Sequence, residues 1–246
     1  MNTRRKVWVI LMAGLVALLT AAAVMRWPAG TTAAGPRLSA HDLQTIVNAA
    51  VATANKTASL PGLRTFVSGT PKKPTRMWIA IVDREGHLLA LHGMTDAWVG
   101  SQDIAISKAR TAAFFSSDQN ALTSRVIGQL SQAHKADGSG GAQPLWGIWA
   151  SNLVPSDVTN SDGNPPAPST AATRNGLITF PGGVPLYLGA NLVGAIGVSG
   201  DGVDQDECVA FGGASAGPGS LFLPPSSMMR LRFSGPSCPA VRPAFP

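Results

Sequence analysis

The residues best suited to chemistry lie in the stretch GVSGDG at positions 197–202. Glycines admit backbone conformations that aim several N–H groups at one point, and a helix N-terminus favours an anion there. Gly197, Ser199, Gly200 and Gly202 are therefore candidates for binding an acidic ligand group. They equally favour a simple tight turn, because their spacing matches neither the dinucleotide fingerprint nor a P-loop.

The sequence contains no readable set of catalytic groups. Ser199 follows Gly197 and Val198, but a nucleophile elbow would need glycine at position 201, where Asp201 stands. The histidines show no metal-ligand spacing. His87 and His92 flank one predicted strand five residues apart, which would put them on opposite faces. The sequence favours a binding protein over an enzyme.

The elements around the glycine stretch are a hairpin and a helix. Apolar residues alternate over 184–188, a turn follows at 189–191, and 192–198 is an apolar run, which predicts two paired strands. Asp204 stands at an expected N-cap position with Glu207 three residues later, so a capping box is predicted to start the helix. The glycine stretch would then lie between strand and helix.

The first half of the chain predicts further elements. Ser39 and Asp42 begin an apolar helical pattern that extends to about residue 58. A second hairpin is predicted around a turn at 83–86. Ser101 is expected to cap a helix that ends near residue 116. The predicted ranges of the remaining elements are strands 77–82 and 87–92 and a short helix over 123–134.

The chain is organised as an export segment, a domain and a tail. Residues 1–30 combine basic residues with an uncharged apolar run, which predicts either a signal peptide or an N-terminal membrane anchor. Either one would place the rest outside the cytoplasm, in the periplasm or the extracellular space. The further divisions are a linker at 31–37, a domain at 38–216 with a long insertion at 135–180, and a Pro-rich basic tail at 217–246.

The charge distribution limits the partners. The net charge of +6 comes mainly from basic residues near the two ends, so the body is close to neutral. We therefore expect no nucleic-acid partner, and membrane contact only through the N-terminal segment. Cys208 and Cys238 are too far apart for a CxxC site, and an exported chain permits either a disulfide between them or two separate thiols.

Three segments carry a resemblance to a known family. They are IAIVDREGHLLA at 79–90, SQDIAISKARTA at 101–112, and the pieces GGVPL, VGAIGVSG and DE between 182 and 207. In order and spacing they resemble the GlcG/HbpS family of haem-binding-type domains, over roughly residues 38–214. The resemblance implies an α+β fold with a profilin-like antiparallel sheet flanked by helices. It also implies a homo-oligomer and non-covalent binding of haem.

The resemblance suggests particular residues for that ligand. Thr111 matches a threonine for which the family offers a precedent as an oxygen ligand of haem iron. Lys108, one turn earlier, would pair with a propionate. Family members commonly carry an arginine near position 92, where this chain has His92 and, two residues on, Met94. Imidazole and thioether are both haem ligands, so Thr111 and His92 are the candidate iron ligands.

Three interpretations of function remain open at the level of sequence. The first is an exported haem-binding protein for storage, scavenging or sensing. The second is a ligand-free assembly or accessory subunit, in which the insertion and the tail make protein contacts. The third is an enzyme acting on a tetrapyrrole or a small organic acid, with Asp83, Lys108 and the glycine stretch as its site.

Overall fold

The computed structural model describes residues 35–60, 73–135, 137–146, 177–217, 222–224 and 238. The helices and strands of the described residues all lie within Pro36–Pro246. The helices are α1 (Ala40–Lys56), α2 (Ser101–Phe115), α3 (Ser124–Leu130) and α4 (Val203–Ala214). The strands are β1 (Trp78–Asp83), β2 (Leu88–Gly93), β3 (Gly183–Leu188) and β4 (Asn191–Ser199).

The strands form one antiparallel sheet in the order β2-β1-β4-β3. Helix α2 packs on one face, and α1 and α4 pack on the other. The α+β fold with an antiparallel sheet between helices, predicted from the family resemblance, is confirmed. Strands β2 and β3 are the edge strands of this sheet.

The two faces of the sheet are packed differently. Ile79 and Ile81 point to the α1 and α4 side and join a large cluster of aliphatic residues from both helices. Ala80 and Val82 point to α2 and meet its alanines. Alternation along β1 therefore supplies both cores, and small residues bring α2 close to the sheet.

The predicted start of α1 and the predicted end of α2 are correct, and the predicted cap of α2 is wrong. The Ser39 capping box is present, with Ser39 N donating to Asp42 Oδ2 at 2.8 Å and Asp42 N donating to Ser39 Oγ at 3.2 Å. Helix α2 ends at Phe115, within a residue of the prediction. Its N-cap is Gly100 rather than Ser101, and no side chain caps it.

Helix α3 is shorter than predicted, for a reason visible in its hydrogen bonds. Thr123 caps its start, as the predicted boundary implied, but the helix ends at Leu130 instead of 134. The carbonyl oxygen of Leu130 accepts from Leu145 N at 2.9 Å, and that of Gln132 accepts from Gln143 N at 3.0 Å. The returning chain thus takes the carbonyl oxygen of Leu130, which the N–H of residue 134 would have needed in a longer helix.

Part of the predicted tail belongs to the main core. Phe222 is fully buried in the cluster on the α1 and α4 side. Its carbonyl oxygen accepts a hydrogen bond from Tyr187 N on edge strand β3 at 3.0 Å. The predicted domain limit at 216 therefore leaves out a core residue.

The predicted export segment, 1–30, and most of the predicted insertion, 147–176, lie outside the described residues. Within the described residues, no helix is both long and apolar enough to cross a membrane. A disulfide joins Cys208 on α4 to Cys238, so of the two states left open by the sequence the paired one is present.

The disulfide generates the first prediction. It closes a loop with a sequence separation of 30 residues, so Cys238→Ser should lower the free energy of unfolding by about 3–4 kcal/mol by freeing the unfolded chain. Urea denaturation measures this loss. Adding a thiol reductant should destabilise the wild type by a similar amount and leave the variant unchanged; equal stability of variant and wild type under oxidising conditions would contradict the prediction.

Candidate functional site

A buried ion pair joins the two regions that the sequence singled out. Lys108 Nζ on α2 lies 2.7 Å from Asp206 Oδ2 on α4 and donates to the carbonyl oxygen of Val198 on β4 at 3.2 Å. The side chains of Lys108 and Asp206 are each 2% exposed. Helices α2 and α4 lie on opposite sides of the sheet, and the ion pair holds both of them to strand β4 at one point.

The predicted anion cradle contains an acidic group from the chain itself. Asp206 Oδ1 accepts from the N–H of Asp201 at 3.1 Å. The carboxylate of Asp201 accepts from Gly202 N at 2.9 Å, Ser59 Oγ at 2.6 Å and Leu60 N at 2.7 Å. Lys108 and the glycine stretch are therefore brought together, with Asp206 in the position that was predicted for a ligand's acidic group.

These contacts also explain why the predicted cap of α4 is wrong. The N-cap residue is Gly202, and Asp204 lies within the first turn. Asp204 Oδ1 and Glu207 Oε2 instead accept from Arg125, at 2.5 Å from Nη2 and 2.6 Å from Nε. The predicted capping-box residues are used to hold α3 against α4.

The glycines and Ser199 have structural reasons for their positions. A Cβ on Gly197 would collide with the backbone oxygen of Ala105, so this glycine allows α2 to lie directly on β4. Gly200 has a φ of 156°, a conformation that side chains rarely adopt. Ser199 is buried and pairs with Trp78 in the sheet.

The hydroxyl of Thr111 is fully used within the fold. Thr111 Oγ1 donates to the carbonyl oxygen of Ser107 at 2.8 Å and accepts from Ile178 N at 2.9 Å, and the residue is 0% exposed. The hydroxyl thus fixes the segment before β3 to helix α2. Of the predicted iron ligands, only His92 is exposed.

His92 lies on the opposite side of the sheet from α2. It pairs with Ile79, which faces α1 and α4, and its neighbour Leu91 packs toward α2. Thr111 and His92 are therefore separated by the sheet, and one iron could not bind both.

The predicted separation of His87 and His92 onto opposite faces is wrong. Leu88 pairs with Val82 and Ala90 pairs with Ile81, so Leu89 is an extra, bulged residue in β2. Because of this extra residue, His87 and His92 lie on the same face of the sheet. His87 Nδ1 lies 3.1 Å from Asp83 Oδ2. Ligand atoms of Asp83, Glu85 and His87 lie within 4.8 Å of one another, with Glu85 and His87 exposed. The backbone N–H groups of Glu85 and His87 donate to Asp83 Oδ1, so the carboxylate of Asp83 already stabilises the turn.

Burial dominates the electrostatics around the ion pair. Burial raises the pKa of Asp206 to about 6, although the ammonium of Lys108 acts in the opposite direction. Burial likewise raises the pKa of Glu207, against the effect of Arg125. Both carboxyls therefore hold their charge less readily than exposed acids do, and they depend on their cationic partners.

Residues 38–215 match the HbpS-like family, described as haem degrading proteins. The chain belongs to this family. A relative of this HbpS-like chain is an uncharacterized 15.0 kDa protein in the dhaT-dhaS intergenic region of Citrobacter freundii. It is 28% identical over 131 residues, which are 53% of this chain and 68% of the relative.

Solved structures also resemble this HbpS-like chain. The ORFY protein of Klebsiella pneumoniae is 23% identical, covers 72% of this chain and 87% of its own, and has a TM-score of 0.45. A PduOC complex with haem is 23% identical over 72% of this chain and 93% of its own, at 0.46. A double mutant of the Streptomyces reticuli HbpS is 21% identical over 79% of this chain and 96% of its own, at 0.45. The family assignment rests on the sequence match.

Several residues of this HbpS-like chain were not selected from the sequence. Asp206, Asp201 and Arg125 form the polar network, yet none carried a distinctive spacing. The available signal was the acidic run DGVDQDE at 201–207 directly after a buried strand. Carboxylates at such a position need hydrogen-bonding or cationic partners, and in this fold those partners come from distant parts of the chain.

The ion pair generates the second prediction. Lys108→Met leaves the carboxylate of Asp206 buried without its cation, so we expect a loss of about 3–5 kcal/mol in the free energy of unfolding. Adding Asp206→Leu should recover most of it, because both charges are then absent. Urea denaturation measures both effects, and a single variant as stable as the wild type would contradict the role of the pair.

The pH dependence of that variant is the third prediction. Lys108 lowers the pKa of Asp206, so its removal raises the folded-state pKa further above the unfolded value. The folded variant then binds the proton more strongly, and its stability falls as pH rises through that window. The deficit of Lys108→Met relative to the wild type should be smaller at about pH 5 than at about pH 7. A deficit that is constant or grows on acidification would argue against it.

Proposed function

We propose that this chain is an exported protein that binds haem non-covalently, for storage, scavenging or sensing. Membership of the HbpS-like family over residues 38–215 carries the proposal. Haem, when bound, supplies an iron that takes axial ligands and a porphyrin with apolar faces and two carboxylates. The chain must therefore offer an apolar surface, a ligand atom and a donor for a carboxylate.

Groups of these three kinds lie on edge strand β2 and on the elements beside it, β1 and α2. Leu88 and Leu89 are 43% and 39% exposed, which provides apolar surface beside a strand edge that no other described strand pairs with. His92 is exposed at the other end of the strand. Two buried donor atoms, Trp78 Nε1 and Arg110 Nη1, have no hydrogen-bond partner among the described residues. The exposed imidazole of His92 fits an iron ligand, whereas Leu88 and Arg110 lie on the α2 side of the sheet, opposite to His92, and do not share its surface.

For the iron we propose His92. Its imidazole is accessible, and a neutral imidazole is a common axial ligand of haem. The family precedent favours Thr111, but the hydroxyl of Thr111 would first have to give up its bonds to Ser107 and Ile178.

For Lys108 and the glycine stretch we propose a supporting role. A propionate would have to displace the carboxylate of Asp206 from Lys108 and from the N–H of Asp201. That exchange would break the network that joins α2, β4 and α4. We therefore assign Lys108, Gly197, Ser199, Gly200 and Gly202 to the framework behind the sheet.

Two features support export. Residues 1–30 have the pattern of a signal peptide or membrane anchor. The Cys208–Cys238 disulfide is of a kind that persists in oxidising compartments such as the periplasm or the extracellular space.

The second candidate function is a ligand-free accessory subunit. It is favoured by the occupied cradle and by exposed apolar residues before α2, where Trp98 is 63% and Val99 is 74% exposed. Such residues suit contact with another copy of this chain, consistent with the expected homo-oligomer. In that case the apolar residues near β2 would form a protein interface.

Titration of the full-length protein with hemin tests the proposal and is the fourth prediction. We expect saturable binding near one haem per chain with a shifted Soret band. His92→Ala should change the band and weaken binding by at least about tenfold, because the axial ligand is lost. His134→Ala is the matched control, since His134 is exposed and lies far from β2 in the sequence.

The outcomes separate the candidates. Non-saturating absorbance in the wild type would reject haem binding and favour the accessory subunit. Saturable binding that His92→Ala and His134→Ala leave equally unchanged would keep haem as the ligand but reject His92 as the residue for its iron.

A further inference from the structure

The two edges of the sheet differ in whether their outward backbone groups have partners. Gly183, Pro185 and Tyr187 occupy the positions of β3 that face away from β4. Gly183 N donates to Ser124 Oγ at 2.8 Å, and Tyr187 N donates to the carbonyl oxygen of Phe222 at 3.0 Å. Pro185 has no N–H to offer. Strand β3 is therefore closed to a further strand at each of these positions.

Strand β2 has no comparable closure in the described part of the chain. Met94 N, directly after the strand, donates to the carbonyl oxygen of Met77 at 3.0 Å. Alternation from this bond points the N–H groups of Leu91 and Gly93 away from β1. Neither N–H has an acceptor among the described residues. The bulge at Leu89 limits regular pairing with a further strand to residues 90–93.

Strand β2 also lies at the margin of the helical layers. Helix α2 packs mainly over β4, β1 and β3. Leu88 faces the α2 side and is 43% exposed, and Leu89 is 39% exposed. A further strand on this edge would therefore approach the α2 side without displacing a described helix, and it would remove leucine surface from water.

The partner that best fits this edge is β2 of a second copy. Two identical strands that pair antiparallel about a two-fold axis are self-complementary, because each supplies the donors and acceptors that the other needs. The strand Leu88–Gly93 contains no lysine, arginine, aspartate or glutamate, so two copies would meet without like charges opposite each other. Such charges are a common protection of exposed edges, and β2 lacks them.

We infer that two copies of this chain pair through residues 90–93 of β2 and so join their two four-stranded sheets into one of eight strands. Because β3 is closed, this sheet ends at β3 of each copy and does not continue into a filament. The inference goes beyond the proposed function, because the pairing uses backbone groups and requires no haem.

The first measurement is amide hydrogen exchange of the full-length, haem-free protein over a range of concentrations. The amides of Leu91 and Gly93 should be protected in concentrated protein and should exchange at least about tenfold faster after dilution below the dissociation constant of the dimer. The amide of Tyr187 is the internal control, because its acceptor on Phe222 belongs to the same chain. Its protection should not change with concentration. If the protection of Leu91 and Gly93 is equally constant, a segment of the same chain covers β2 and the inference is overturned.

The second measurement is sedimentation velocity of variants over a concentration series. In an antiparallel pairing of residues 90–93, the two copies of residue 92 lie beside the two-fold axis. His92→Lys therefore brings two ammonium groups together and should weaken the dimer by at least about tenfold. His134→Lys is the matched control, since His134 is exposed and lies outside β2. Val99→Lys tests the exposed apolar residues before α2, where Val99 is 74% exposed. Both of these variants should leave the dimer unchanged.

The remaining outcomes are also decisive. A wild type that stays monomeric at every concentration overturns the inference, and so does a dimer that Val99→Lys weakens and His92→Lys does not. The exchange measurement uses the wild type alone, so it decides the question even if His92→Lys fails to fold. Neither measurement contains haem. Failure here therefore leaves the proposed function standing, and failure of the hemin titration leaves the dimer standing.

Discussion

The fold depends on one buried charge pair. Lys108 and Asp206 lie 98 residues apart in the chain, yet their side chains meet at 2.7 Å with almost no solvent around them. This contact joins a helix from each of the two helical layers to the sheet between them. Two buried charges recover their desolvation cost only in good geometry, so the pair restricts how α2 and α4 can be placed relative to β4.

The elements that were predicted correctly depend on interactions between residues close together in the sequence. The hairpin around residues 83–86 follows from an apolar run and a turn, and the Ser39–Asp42 box follows from a spacing of three residues. The same spacing misled at Asp204 and Glu207, where Arg125 from another helix competes for both carboxylates. A capping pattern predicts a cap only if no cation from a distant part of the chain forms hydrogen bonds with its side chains.

The candidate site was harder to predict than the fold for the same reason. The motif around Lys108 and Thr111 identified the family, but the sequence could not show that Asp206 and Ile178 already satisfy these two side chains. Nor could it show that Arg110, between them in the sequence, lacks an acidic partner in the described part of the fold. Whether a polar residue serves the framework or a ligand depends on which partners folding brings to it, and those partners come from remote parts of the chain.

The order of synthesis restricts when the Cys208–Cys238 disulfide can form. Cys208 lies within the family-matched region, whereas its partner Cys238 lies beyond residue 215. Because the chain is synthesised from its N-terminus, the sheet and helix α4 are translated before Cys238. The covalent link can therefore form only after the whole family-matched region has been translated, and it ties a segment beyond that region to helix α4, where Cys208 is buried beside Thr57.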